Sequence, residues 1–149
     1  MKLRWAALTT VLAFGALVPK TVAAQGNSPP RERSPGFELG TNYPNPFNPA
    51  TTIPFTIGDP PTCTDQAREY RVTLRIYNVL AQLVAIPVLQ GGEGAVGQPV
   101  VDVHLKCGTY TAFWNGNFLN TSQEMPSGVY LYRIEVEGRG VAKKMLLLR

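Results

Sequence analysis

The chain has 149 residues and a mass of 16.3 kDa, room for one modest domain, with 14 Gly, 13 Pro, 44% hydrophobic and only 16% charged residues. That balance excludes general disorder and long helices, and a single His with two Cys excludes multi-histidine and four-thiolate metal centres. The formal charge of +4 falls to 11 − 10 = +1 once Lys2, Arg4 and Lys20 are set apart, and no basic run beyond Lys143-Lys144 remains for nucleic acid to bind.

Residues 1–24 read as a signal peptide. A basic start, an apolar run from Trp5 to Val18 and Val22-Ala23-Ala24 follow the order of n-region, h-region and cleavage site. Cleavage after Ala24 leaves 149 − 24 = 125 residues, none of which forms a run long enough to span a bilayer. The expected product is secreted, extracellular or on the outer cell surface, with no membrane span. In that oxidising space Cys63 and Cys107, 44 residues apart, are expected to form a structural disulfide rather than a redox pair. A loop of that size stabilises a fold by roughly 4 kcal/mol in the chain-entropy model.

Residues 25–36, with Pro29-Pro30 and Arg31-Glu32-Arg33, have almost nothing apolar to bury and read as a flexible linker. A domain over 37–149 follows. Its proline-rich opening, from Asn42 to Pro49, is expected to be extended and turning, with Tyr43 and Phe47 packed on the domain. Ile53, Phe55 and Ile57 share one face, and Pro54 between them suggests an edge strand. Val72, Leu74 and Ile76 mark a half-buried strand, and Leu83 to Leu89 reads as one more. Val101 and Val103 alternate with Asp102 and His104; Tyr110, Ala112 and Trp114 precede an Asn115-Gly116 turn. Tyr130, Tyr132, Ile134 and Val136 form a further face, expected in the core. Gly138-Arg139-Gly140 then turns into a last strand, apolar on both faces, that must be central or covered. About seven strands separated by turn signals define an all-β, antiparallel sandwich of immunoglobulin-like type.

The chemistry inventory is thin. Asp102 and His104 lie on one face of a strand and are within reach of each other, but no nucleophile motif accompanies them. The carboxylates are scattered without a calcium loop or a paired cleft, so no cofactor, metal site or catalytic residue is expected, and the chain is not expected to be an enzyme.

Five motifs stand in order: Asn42-Tyr43-Pro44-Asn45-Pro46-Phe47-Asn48-Pro49, Leu74 to Val84, Gly108-Thr109-Tyr110 with Trp114-Asn115-Gly116, Pro126-Ser127-Gly128-Val129-Tyr130, and Lys143-Lys144-Met145-Leu146-Leu147-Leu148-Arg149. The series resembles the type A C-terminal sorting domain of type IX secretion cargo, and the immunoglobulin-like domain of flagellar hook-cap proteins. The resemblance covers Phe37 to Arg149. It implies a sandwich that acts as an address, read by the secretion machinery or a surface sortase, with Lys143 to Arg149 as the part most needed for recognition. Asn45, Pro46, Phe47, Asn48, Pro49, Trp114, Gly116, Ser127, Gly128 and Tyr130 carry the family motif. Asn115 stands where the family usually has Asp, which keeps the turn and removes a charge. A sorting tag normally follows a passenger, and here only residues 25–36 separate leader from domain. That leaves open a second role, a structural subunit of an extracellular polymer that self-associates by strand addition.

Overall fold

The computed structural model describes residues 36–94, 96–119 and 121–149. The chain divides into two units, Met1–Arg31 and Glu32–Arg149, and every described residue belongs to the second. The expected signal peptide, nearly all of the linker and the cleavage site at Ala24 lie outside the described residues. Among those described, no helix is long and apolar enough to cross a membrane.

Among the described residues, nine strands form two antiparallel sheets: β1 (Phe37–Leu39), β2 (Thr51–Ile57), β3 (Glu69–Tyr77), β4 (Leu83–Ala85), β5 (Val88–Gly91), β6 (Val103–Lys106), β7 (Gly108–Trp114), β8 (Gly128–Val136) and β9 (Arg139–Leu147). One sheet runs β1-β2-β7-β5; the other runs β4-β3-β8-β9, with β6 also paired to β3. The protein is a β-sandwich. Strict alternation builds it: Ile53, Phe55 and Ile57 of β2 face Leu74 and Ile76 of β3 and Tyr132 and Ile134 of β8 across one buried core.

The strand holding Pro54 is internal rather than an edge. Leu39 pairs with Phe55 on one side, and Pro54 pairs with Thr111 on the other. The missing N–H faces the end of β1, where Gly40 N–H donates to the Pro54 carbonyl at 2.8 Å and the Gly40 carbonyl, left without a reciprocal donor, accepts from the Tyr132 hydroxyl at 2.9 Å. Gly40 makes this possible by lying against the proline ring: a Cβ there would sit 2.7 Å from Pro54 Cγ. β1 itself, only three residues long, carries too short an alternation to be read from sequence.

The single strand expected over 83–89 is two, one in each sheet. Pro87 breaks it, and the chain crosses between layers at that point. The Pro87 carbonyl accepts from Val100 N–H at 2.8 Å, while the Val100 carbonyl accepts from Leu74 N–H at 2.8 Å, so a fully buried Val100 ties the crossing to both sheets. β6 begins at Val103 instead of Val101. Asp102 adopts a left-handed backbone (φ 50°), and its N–H is satisfied by Thr73 Oγ1 at 2.9 Å.

The last strand is not central: β9 lies at the edge of its sheet, beside β8. Met145 and Leu147 are buried, Leu146 is half-buried and Leu148 is exposed. Its final residues are instead covered by the proline-rich segment of the same chain.

Candidate functional site

The residues of the expected motif are brought together at one end of the sandwich, around the end of β9. Bends at residues 44–46 bring Phe47 beside the open edge of β9, where it forms a parallel bridge with Leu147. Asn45 Oδ1 accepts from Leu146 N–H at 3.1 Å, Phe47 N–H donates to the Leu146 carbonyl at 3.0 Å, and Leu148 N–H donates to the Phe47 carbonyl at 2.9 Å. Three bonds thereby satisfy edge groups that would otherwise face solvent.

Phe47 anchors that segment. Its ring is buried and lies 5.5 Å from Trp114, which lies 5.4 Å from Tyr130 in an edge-on arrangement. The polar tips of both partners are satisfied locally: Trp114 Nε1 donates to the Asn117 carbonyl at 2.9 Å, and the Tyr130 hydroxyl to the Pro126 carbonyl at 2.7 Å. Burial raises the Tyr130 phenol above its ordinary pKa, with the nearby Arg149 charge acting in the opposite direction.

Gly116 has to be glycine. Its φ is +79°, and a Cβ there would collide with the Pro49 carbonyl oxygen. The expected turn at Asn115 is present and is held by Asn115 Oδ1, which accepts from Asn117 N–H at 3.0 Å. Arg149 closes the cluster. Its Nε donates to the Met125 carbonyl at 2.8 Å and Nη2 to the Gly116 carbonyl at 3.0 Å; its backbone N–H donates to Ser127 Oγ at 2.8 Å, and Nη1 lies 3.0 Å from Glu124 Oε2.

Of the expected recognition strand, then, Met145 and Leu147 point into the core and Arg149 is engaged with loop carbonyls. Lys143 is half-buried, while Lys144 and Leu148 present their side chains to solvent. Pro46 and Asn48 are exposed, and Gly128 pairs with Leu147 at the start of β8. Sequence reasoning did not single out Glu124 or Asn42. Asn42 is buried: its Nδ2 donates to Thr51 Oγ1 at 3.0 Å, and its N–H to the Tyr132 hydroxyl at 3.2 Å. Its place at the opening of the first motif, directly ahead of Tyr43-Pro44, was the available signal.

The opposite end is covalent. Cys63 and Cys107 form the expected disulfide, with Cα atoms 5.6 Å apart, and it pins the loop after β2 to the β6–β7 corner. An open cavity of about 650 Å³ lies beside it, between the two cysteines, Glu93, Lys106 and Tyr110. Burial, with the Glu93 charge second, pushes the Tyr110 phenol upward. Asp102 and His104 are not brought together. Asp102 borders Arg71, Thr73 and Glu135, whereas His104 borders Glu69, Glu93 and Lys106. Among the described residues no three of His, Cys, Asp and Glu gather as metal ligands.

No family model matches the chain, and no curated protein matches it. Among solved structures it is similar to the Pseudomonas fluorescens alkylpurine DNA glycosylase AlkC bound to DNA containing an abasic site analog, at 12% identity and a TM-score of 0.42. The match covers 76% of this chain and 31% of that one, so the chain spans about a third of its length. That neighbour is an enzyme, and the expectation that this chain is not one is withdrawn on that finding. So distant a likeness lends the chain no activity of its own.

Proposed function

We propose that the chain is an exported β-sandwich module of the sorting-domain type, acting in type IX secretion and cell-surface attachment. One observation carries the reading: the motif residues, scattered from Asn45 to Arg149, converge on the end of β9, where Asn45 and Phe47 bond to Leu146 and Leu148. A docking strand held in one geometry, with Lys144 and Leu148 displayed, suits recognition by a partner that reads charge and apolar contact together. The disulfide supports an oxidising destination. The polymer-subunit alternative has less to work with. Asn45 and Phe47 already occupy the end of the β9 edge, and the adjacent Lys143 and Lys144 discourage edge-to-edge pairing.

The test is expression of the full chain in two isogenic hosts, with and without the type IX outer-membrane translocon. Protease-accessible chain on the surface or in the medium is expected only where the translocon is present. Equal delivery in both hosts would refute the reading.

A further inference from the structure

Charge and apolar exposure are segregated along the sandwich. The described residues include nine carboxylates, ten in the chain less Glu32. Register places eight of them level with the Thr73–Glu135 pair or beyond it toward the disulfide: Glu135 on β8, Glu69 on β3, Glu38 on β1, Glu137 in the β8–β9 turn, and the loop residues Asp59, Asp65, Glu93 and Asp102. The ninth, Glu124, is ion-paired to Arg149 at 3.0 Å. The end that holds the β9 terminus therefore has no free side-chain carboxylate among the described residues.

Most large exposed apolar side chains lie at that same end; Val96, Val101 and Val141 do not. Val79 and Leu80, 69% and 75% exposed, form the tip of the β3–β4 turn. Leu119 tips a neighbouring loop, tied by its N–H to the Val84 carbonyl at 2.9 Å. Val129 and Leu148 are exposed on the far side of the sheet. Half-buried Tyr77 and Leu131, directly paired across β3 and β8, join the two groups into one band. Three strand spacings make that band about 14 Å wide.

Cations border the band. Lys144 pairs with Leu131, and in the next row Arg75 stands directly opposite Arg133 on the same outer face. Like charges in register cost stability. Arg133 has one long contact, 3.9 Å to Glu135, and neither Arg75 nor Lys144 has an ion pair among the described residues.

We infer that this end of the sandwich docks on a lipid surface bearing anionic headgroups. Val79 and Leu80 would enter the interface, while Arg75, Arg133 and Lys144 meet the phosphates. The shape favours a lipid surface over a protein partner: the two most exposed apolar groups of the band, Val79 and Leu80, stand on a turn tip that can bury itself in a deformable interface. Charge complementarity sets the headgroup, since each Lys or Arg near an anionic surface contributes about 1 kcal/mol, about fivefold in affinity. The inference does not depend on the secretion reading.

The test is flotation of the full, disulfide-intact chain with vesicles of phosphatidylcholine alone or containing phosphatidylglycerol. All variants are made in that chain, so the apolar run 5–18 is common to every sample. The chain is expected to float with the anionic vesicles and to be released as salt rises. Leu80→Ser should reduce binding severalfold; Arg75→Gln and Lys144→Gln should each reduce it about fivefold. Val96→Ser, 62% exposed but away from the band, should bind as the parent does. Arg75→Gln should melt at the same temperature as the parent or higher, because it relieves the pairing with Arg133; a purely structural role would lower it. Equal flotation with both vesicle types, no flotation with either, or Leu80→Ser behaving like Val96→Ser would each overturn the inference.

Discussion

The two ends of the sandwich are closed by different physics. At the disulfide end, one covalent bond ties a loop to a strand corner and acts mainly by restricting the unfolded chain. At the β9 end, a buried phenylalanine, an aromatic stack and a set of hydrogen bonds hold the last strand, and every contribution belongs to the folded state. The difference teaches where sensitivity should lie. The first closure responds to redox conditions and leaves local packing in place. The second has one deep anchor and many shallow ones, so single substitutions should separate them.

Phe47→Ala gives the largest expected effect. It empties a buried ring site against Trp114, a loss of about 4 kcal/mol, and it frees the β9 edge together with the anchor. Denaturant unfolding reads the first, and amide exchange at Leu146 and Leu148 reads the second. Unchanged protection at those amides would break the comparison, because the hydrogen bonds would then stand without their anchor. Reduction of Cys63–Cys107 should cost roughly 3 kcal/mol, somewhat below the chain-entropy figure, while the amides of Leu146 and Leu148 stay protected relative to global unfolding.

Arg149→Ala should cost about 2 kcal/mol, because the buried part of its guanidinium serves the carbonyls of Met125 and Gly116. Glu124→Gln should cost under about 0.5 kcal/mol, since that carboxylate is 69% exposed and the pair is screened. Equal losses would mean that the ion pair, rather than the carbonyls, holds the terminus.

Alkaline pH has the smallest effect and reaches both ends. Tyr110, Tyr130 and Tyr132 all have phenol pKa values raised above 10.0, in each case chiefly by burial. Folding favours their neutral form, so this contribution is complete below pH 10 and is lost as pH rises through the raised folded values. Tyrosinate absorbance from these three should therefore appear together with alkaline unfolding, which unfolding followed by circular dichroism across the same range would check.

What was legible in the sequence follows from the range of each signal. Alternation in β2, β3, β7 and β8 is local, so those strands and their core residues could be read directly. Pro54 misled because its missing donor counts only against a neighbour, and that neighbour is a three-residue strand. Pro87 was passed over because an apolar run does not record the sheet each half joins. The site was legible as residue types and not as an arrangement: Asn45 and Leu146 are 101 positions apart, and Arg149 meets Gly116 across 33. Only folding reveals that a motif at the start of the domain seats the strand at its end.

The most direct test of the account is surface delivery of the full chain against its Lys143→Gln/Lys144→Gln variant in a host with the type IX machinery. These substitutions leave the core, the Asn45–Phe47 contacts and the disulfide in place, so both chains should show the same unfolding midpoint. The account predicts that the parent reaches the surface and the variant accumulates in the periplasm. Equal delivery of two equally stable chains would contradict it.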